Sequence, residues 1–404
     1  MTPPTARSDD ARRVRPQARP PAPRLAALGG QLLFPSLFRA GALAARPERV
    51  VAGFVAILII GSVGAALNGI GAEGPFGVAL RHLDTAVFDL GRAVRRADIP
   101  NLADRARLVL LEAPRSAIAS APIASLVLAI ISAIAWGLSG LFISRGAAME
   151  LGRGLHLRLS RLVAYLIVKG PASVLALLLA PLAASIFLLV PLVLGLLMLV
   201  PGVDLAAGLF YGLALLASGA SAFLLIAWLA ASWMLVPAVA CDGADAFDAT
   251  QRAFGMLLGR PLSVLLHALV AVVQGVVLVG LVWIVADLSV GLASAIAGSV
   301  GDAPNSIVTG AALFAGETGT RANASAFVAI WNRVPFVLAA SYAVSYAHTV
   351  STGVYLNARK MVDGQEPSEL WMPGDASGVV EITPDPGAGP APADADRESA
   401  APLG

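Results

Sequence analysis

The sequence has little charge and almost no cysteine. Only 13% of its 404 residues are charged and 57% are hydrophobic, whereas about 25% of residues are charged in a typical soluble domain. A chain of this size with so few charges could not cover a water-facing surface. The single cysteine, Cys241, excludes an intramolecular disulfide and a cysteine-based metal site. The composition therefore predicts a membrane protein and removes one class of metal centre.

Common catalytic motifs are also missing. The sequence contains neither a P-loop nor an HExxH helix, and no Asp or Glu lies in the interior of a predicted span. Proton and substrate paths through membranes usually use such carboxylates. We therefore predict a non-catalytic protein with no cofactor and no metal.

Long apolar runs are the main positive feature of the sequence. A helix needs about 20 residues to cross the hydrocarbon core of a bilayer. Six stretches reach that length: 50–71, 121–143, 172–200, 205–236, 261–288 and 334–355. We predict an all-α polytopic transmembrane helix bundle of about six spans, with amphipathic interfacial helices. Residues 290–315 are less apolar and are broken near Pro304, so we predict a re-entrant or interfacial segment there rather than a seventh span.

Segments of different composition flank the transmembrane helical domain, which we place at residues 50–362. Residues 1–24 are polar and arginine-rich, which predicts a disordered basic tail. Residues 25–49 mix apolar side chains with arginines, which predicts an interfacial segment. Residues 363–404 carry nine carboxylates and one arginine, which predicts a disordered acidic tail.

Two further stretches have apolar residues at the spacing of one helical face. The first lies between the first two spans and consists of Phe76, Leu80, Leu83, Val87, Leu90 and Val94. The second follows the second span and consists of Leu155, Leu159, Leu162 and Leu166. Both are predicted to be amphipathic helices at the membrane surface.

The basic residues indicate the orientation of the chain. With the N-terminus in the cytoplasm, nineteen of the 28 Lys and Arg residues fall in cytoplasmic segments, as the positive-inside rule requires. We predict a multi-pass protein of the bacterial inner (plasma) membrane with both termini in the cytoplasm. The partner predicted from sequence is the lipid bilayer, and no nucleic-acid partner is expected.

Three aspartates after the fourth span form the most suggestive polar cluster. Asp242, Asp245 and Asp248 are followed by Arg252, and carboxylates at this spacing on a helix could hold a hard cation or a lipid headgroup. The alternative is that Asp242 or Asp245 caps a short helix, because acidic residues are favoured in a first turn. We favour the capping interpretation over the ion or headgroup site.

Few polar side chains lie inside the predicted spans. They include His267 and Gln274 on the fifth span and His348 on the sixth. Interhelical hydrogen bonds are the favoured role for such residues. We expect both imidazoles to point into the bundle, each near a polar group or a free carbonyl, because a ring facing lipid would have no partner.

Three stretches at the cytoplasmic edge carry a family resemblance: residues 141–168, 236–252 and 355–369. A span that ends after a proline, then Asp-Gly-x-Asp-Ala-Phe-Asp-Ala, then an arginine resembles uncharacterised six-helix bacterial membrane proteins of the planctomycete type. These are loosely similar to the membrane domain fused to some glycerophosphodiester phosphodiesterases. The resemblance implies a non-catalytic bundle over about residues 50–370.

Three hypotheses about function follow. The leading one is a scaffold or accessory factor in envelope or lipid homeostasis, which should form a closed bundle. The alternative is a small-molecule or lipid transporter or permease, which should have a midplane cavity lined by His267, Gln274 or His348. The second alternative is a membrane lipid-metabolism enzyme, whose three aspartates should converge on an open cavity.

Overall fold

The computed structural model describes residues 35–68, 74, 77, 112–309, 319–372 and 383–384, and most of this part of the chain is helical. The helices are α1 (Pro35–Ala44), α2 (Pro47–Leu67), α3 (Ala113–Ser120), α4 (Pro122–Arg153), α5 (Leu159–Leu197), α6 (Val203–Leu209), α7 (Tyr211–Asp242), α8 (Ala246–Gly259), α9 (Pro261–Gly298), α10 (Asp302–Val308) and α11 (Thr320–Asp363). The two-residue strands β1 (Leu155–His156) and β2 (Thr383–Pro384) pair antiparallel.

Six of these helices, α2, α4, α5, α7, α9 and α11, are long and apolar enough to cross a membrane. The prediction of an all-α, six-span, multi-pass membrane protein is therefore confirmed. The boundaries differ most at the sixth span, which was expected at residues 334–355 and is α11 (Thr320–Asp363). They also differ at the third span, which was expected to begin at residue 172. Instead α5 begins at Leu159, so most of the second predicted amphipathic stretch forms its first turns. Pro171 lies inside α5 and does not divide it.

Proline and glycine mark several helix ends. Helices α2, α4 and α9 each begin with a proline, whose missing N–H removes no helical hydrogen bond in the first turn. Helices α7 and α11 are followed by Gly243 and Gly364, with φ of 60° and 72°. This left-handed conformation ends a helix, and a residue with a Cβ adopts it only with strain.

The spans pack around α4 and α11. Helix α5 lies against α7 and α9 lies against α11, while α2 contacts both α4 and α11. The approach of α2 to α11 is close, since a Cβ on Gly53 would lie 2.6 Å from the Ser341 carbonyl oxygen. Helix α4 also contacts α5 and α7, which places it inside the bundle.

Burial is concentrated at one end of the bundle. The continuous buried stretches are residues 140–150 of α4, 234–241 of α7 and 348–359 of α11. These stretches contain Arg145, Glu150, Cys241 and Arg359, and they contact one another. We call this region the charged end. Toward the opposite end the same helices expose apolar side chains such as Leu126, Phe223 and Phe327, which suits contact with lipid.

Of the predicted interfacial segment, the described residues form the start of α2 and, before it, helix α1. It packs on α11 and α9, with Leu37 and Ala40 fully buried and Phe38 exposed. Its last carbonyl group, that of Ala44, accepts a 2.7 Å hydrogen bond from the Ser345 hydroxyl of α11. This segment is therefore fixed to the bundle by both apolar and polar contacts.

The stretch between the fifth and sixth spans adds no seventh span among the described residues. Residues 290–298 continue α9, and α10 is a seven-residue helix packed on α9 and α11. Residues 310–318 lie outside the described part. So do the predicted tail at 1–24, nearly all of the first predicted amphipathic helix at 76–94, and most of the predicted acidic tail.

Candidate functional site

Asp242, the first residue of the aspartate cluster, lies at the charged end, where α7 ends, and its side chain is 5% exposed. Its carboxylate accepts hydrogen bonds from the Tyr355 hydroxyl and from Arg359 Nη1, both at 2.5 Å. Arg252 Nη1 of α8 lies 3.2 Å away. Arg359 is only 2% exposed, so water screens this ion pair little. Asp242 therefore joins α7 to α8 and α11, a role that no sequence pattern predicted.

Asp245 and Asp248 have local partners. Asp245 Oδ1 accepts a 2.8 Å hydrogen bond from the backbone N–H of Asp248, which satisfies one of the free donors at the start of α8. Asp245 thus occupies the capping position predicted from the sequence. The carboxylate of Asp248 accepts hydrogen bonds of 3.0 and 3.1 Å from Arg252 Nε, one turn further on.

The three carboxylates do not converge on a common cavity. Asp242 turns toward α11, whereas Asp248 pairs with Arg252 on the partly exposed face of α8. Burial opposes the charge on Arg252, but its hydrogen bond to Asp248 and the charge of Asp242 raise its pKa overall. Since a charged arginine already neutralises two of the aspartates, the geometry favours a structural role over an ion or headgroup site.

The carbonyl groups that end α7 are paired with groups from elsewhere in the fold. The last four carbonyls of a helix have no partner within it, and a positive charge there also offsets the helix dipole. The donors are the Tyr165 hydroxyl to Val239 O (2.7 Å), Arg145 Nη1 to Ala240 O (2.8 Å) and the Trp371 N–H to Cys241 O (2.9 Å). The end of α7 is therefore held by α4, α5 and the segment after α11.

That segment, residues 364–372, closes the charged end, and we call it the closing segment. It is the first part of the predicted acidic tail, and arginine side chains donate hydrogen bonds to its backbone. The bonds run from Arg359 Nη2 to Glu366 O and Glu369 O (3.1 and 2.5 Å), from Arg145 Nη2 to Trp371 O (2.9 Å) and from Arg153 Nε to Ser368 O (2.8 Å). Arginines on α4 and α11 thus hold this segment across the ends of the spans.

A second buried ion pair joins α2 to α4. Arg49 Nη2 lies 2.6 Å from Glu150 Oε2, and the two side chains are 2% and 1% exposed. Glu150 Oε1 lies 3.1 Å from Arg46 Nη1 and 2.7 Å from His156 Nδ1. Arg49 Nη1 also donates to Leu43 O at 2.8 Å. This cluster connects α1 and α2 to α4 and β1.

The same cluster has the residue types of a metal site. One potential ligand atom from each of Glu48, Glu150 and His156 lies within 4.8 Å of the others. However, Glu150 already contacts both Arg46 and Arg49, so a metal ion would compete with two guanidinium groups for one carboxylate. We therefore interpret the cluster as an ion-pair network.

Two of the three intramembrane polar residues lie on α9. His267 is buried, and its Nδ1 lies 2.7 Å from the Ser263 carbonyl oxygen of the same helix. Gln274 Nε2 donates to Phe38 O of α1 at 3.3 Å, and its Oε1 accepts from the Tyr346 hydroxyl of α11 at 3.4 Å. Gln274 therefore has the interhelical role expected for it, whereas the bond of His267 is internal to α9.

A cavity of about 590 Å³ lies between the spans beyond the close-packed charged end. Small-molecule sites typically have about 300–1,000 Å³. Its lining comes from α2, α4, α5, α7 and α11 and carries no Asp, Glu, Lys or Arg among the described residues. The aromatic and polar members of the lining are Trp136, Trp228, Trp233, Ser132, Ser232, Ser351 and His348. The cavity is partly open, and its walls suit an apolar occupant.

His348, the third intramembrane polar residue, lies in the wall of this cavity. It is 5% exposed, and its ring centroid lies 4.7 Å from that of Trp136. The imidazole faces into the bundle, as the sequence predicted. The polar partner expected for it is not found, because Nε2 has no hydrogen-bond partner in the described part of the chain.

Pro181 explains the placement of one cavity tryptophan. Proline has no N–H, so Pro181 inside α5 leaves the carbonyl of Leu177, four residues earlier, without its helical donor. The Trp228 indole N–H of α7 donates to this oxygen at 2.9 Å. The carbonyl that Pro181 leaves free on α5 is therefore paired with an indole N–H on α7.

This pairing predicts a coupling between Trp228 and Pro181. Trp228→Phe should destabilise the protein by about 1–2 kcal/mol because it leaves a buried carbonyl unpaired. In a Pro181→Ala background the new N–H bonds Leu177 O, so about 1 kcal/mol of that cost should disappear. Equilibrium unfolding in mixed micelles measures the four variants of the cycle.

Trp233→Phe is the control for this cycle, because the Trp233 indole donates to Ala230 O within its own helix at 2.7 Å. Its cost should not depend on residue 181. Equal costs for Trp228→Phe in the two backgrounds would contradict the proposed match.

The stretches that carry the family resemblance meet at the charged end. Residues 141–168 supply Arg145 and Glu150, residues 236–252 supply Asp242, and residues 355–369 supply Tyr355 and Arg359. The role of these arginines and of Glu150 was missed, although all three stretches had been singled out. The sequence signal that could have identified these residues is their position within one turn of an apolar run.

Comparison with protein-family models, with curated proteins and with solved structures found no match for this chain. The resemblance to six-helix bacterial membrane proteins therefore stays a prediction. The charged end and the cavity are therefore the features from which we infer function.

Proposed function

We propose that this chain is a non-catalytic membrane protein that binds a lipid-derived molecule in the cavity between its spans, with a role in envelope or lipid homeostasis. The observation that carries this proposal is the cavity itself, which is apolar, partly open and lined by three tryptophans. The volume lies within the range of small-molecule sites. Exposed apolar side chains surround it on α4, α5 and α7, so an occupant can come from the bilayer.

This proposal corresponds to the lipid-transporter alternative more than to a rigid scaffold. A scaffold was expected to be closed, whereas the spans here surround a partly open cavity lined by His348, which is the kind of feature that a transporter needs. An enzyme was expected to gather its aspartates around an opening. Asp242, Asp245 and Asp248 instead bind arginines or cap a helix.

We also propose that the charged end faces the cytoplasm of a bacterial inner membrane, with both chain termini on that side. Its support is the distribution of basic residues. Arg49, Arg145, Arg153, Arg252 and Arg359 all lie at or beside this end, in keeping with the positive-inside rule. In this orientation the closing segment separates the cavity from the cytoplasm.

Filling the cavity tests the proposal. Protein purified in mild detergent should retain lipid-sized adducts in native mass spectrometry. Ala133→Trp places a large side chain in the cavity wall and should lower adduct occupancy by about tenfold, the effect of losing roughly 1.4 kcal/mol of binding. The matched control is Ile134→Trp, at the neighbouring exposed position outside the cavity, which should retain the adducts.

Two outcomes would contradict lipid binding in the cavity. One is the absence of any retained lipid on the wild-type protein. The other is equal retention by Ala133→Trp and Ile134→Trp, which would place the bound lipids on the outer surface of the bundle.

A further inference from the structure

The His348 ring packs so closely against α4 in the cavity wall that only glycine leaves room for it there. A Cβ on Gly140 of α4 would lie 2.4 Å from His348 Cε1, so any larger residue there would displace the ring. The ring also makes a tilted contact with Trp136, one turn earlier on α4. The ring is therefore positioned by packing alone, whereas His267, the other buried intramembrane histidine, has a carbonyl partner.

The missing hydrogen bond at His348 is a physical anomaly. A buried polar atom without a partner loses its hydration with no compensation, at a cost of about 1–3 kcal/mol. Nε2 of His348 is such an atom in the described part of the chain, and so is Nε2 of His267, but of the two histidines only His348 is in the cavity lining. The same ring lines the cavity, so a molecule in the cavity can supply the partner after a small ring adjustment.

The lining also restricts the charge of that molecule. No Asp, Glu, Lys or Arg lines the cavity among the described residues. A phosphate or carboxylate in this apolar space would lose its hydration without gaining a counter-charge. Besides His348, the polar groups of the described lining are hydroxyls of serines such as Ser132 and Ser351 and the indole N–H groups of the tryptophans, two of which already donate to backbone carbonyls. These groups suit a neutral oxygen.

We propose that the cavity selects an uncharged amphiphile, an apolar skeleton bearing a hydroxyl or carbonyl oxygen, and that His348 hydrogen-bonds to this oxygen. This inference rests on the proposed lipid-binding function and names the ligand class of the same site. A neutral imidazole has one donor and one acceptor nitrogen. It can therefore bind a carbonyl as donor and a hydroxyl in either sense. The three tryptophans cover the apolar part of the ligand.

Photoactivatable probes with one common apolar chain test the ligand class. The set comprises a long-chain alcohol, a methyl ketone, a carboxylate and a plain hydrocarbon, each carrying the same diazirine. The full-length protein in detergent is labelled over a concentration range, and labelled peptides are mapped by mass spectrometry. The alcohol or the ketone should label α4, α7 and α11 at a concentration about tenfold lower than the hydrocarbon, as one added hydrogen bond implies.

Variants of the two buried histidines separate binding from folding. In His348→Phe, labelling by the alcohol and the ketone should require the same concentration as labelling by the hydrocarbon. The hydrocarbon itself should still label the cavity. His348→Gln, which keeps a donor and an acceptor, should restore part of the preference. The control is His267→Phe, which removes a buried imidazole outside the cavity lining and should keep the preference.

The outcomes distinguish this inference from the proposed function. If no probe labels the cavity saturably, the lipid-binding function itself is overturned. Saturable labelling without a preference for the alcohol or ketone overturns only the ligand class, and so does a preference for the carboxylate. A preference that persists in His348→Phe assigns the oxygen to another group and overturns the role of His348.

Discussion

Glu150→Gln should lower the free energy of unfolding by about 3–5 kcal/mol, because it removes the carboxylate that pairs directly with the buried guanidinium of Arg49. Arg49 is 2% exposed and lies 2.6 Å from the Glu150 carboxylate, so solvent cannot replace the lost partner. Glutamine keeps the shape of the side chain and removes only its charge. Equilibrium unfolding in mixed micelles measures the change.

Glu366→Gln is the matched control, since Glu366 also pairs with a basic residue but is 55% exposed. Its cost should stay within about 0.5 kcal/mol, as for most exposed ion pairs. Replacing both Arg49 and Glu150 with methionine should recover part of the loss, because the buried guanidinium is then removed together with its partner. A cost below about 1 kcal/mol for Glu150→Gln would refute the account of this pair.

Asp242→Asn should have an effect of similar size, about 3–5 kcal/mol, because Arg359 would remain buried without its carboxylate. Arg359 also binds the carbonyls of Glu366 and Glu369. Movement of its guanidinium should therefore loosen the closing segment. Limited proteolysis of the purified protein should show faster cleavage within residues 364–372, in parallel with reduced stability.

Asp248→Asn is the control for this experiment. Asp248 is 43% exposed and pairs with Arg252 one turn away, so its replacement should change stability by no more than about 0.5 kcal/mol. Cleavage of the closing segment should also be unchanged. Equal effects of the two asparagine variants would mean that Asp242 is not the residue that holds α11 and the closing segment in place.

The features predicted correctly depend on neighbouring residues. A helix in a bilayer satisfies its own backbone hydrogen bonds, so each apolar run could be recognised as a span without knowledge of the rest of the fold. The cap at Asp245 likewise involves a residue three positions away. The start of α5 was misplaced because arginines beside this apolar stretch suggested a surface helix, whereas α5 begins directly after Arg158 and continues past Arg161 to Leu197.

The features not predicted depend on residues far apart in the chain. Asp242 and Arg359 are separated by 117 positions, and no periodicity within a helix reveals such a pair. The carbonyl freed by Pro181 follows from the sequence alone, but its donor, Trp228, lies 51 positions away on another span. The cavity arises from the packing of five spans, so it could not be inferred from any one of them.

The separation of these partners also has a consequence for biosynthesis. Arg49 emerges from the ribosome long before Glu150, and Asp242 emerges before Tyr355 and Arg359. Until its partner arrives, each charge must stay hydrated at the membrane surface, because an isolated ion in hydrocarbon is costly. The charged end is complete only after α11 has been inserted. A nascent chain stopped before α11 would leave Asp242 without two of its partners, and cellular quality control could recognise this exposed, unfinished surface.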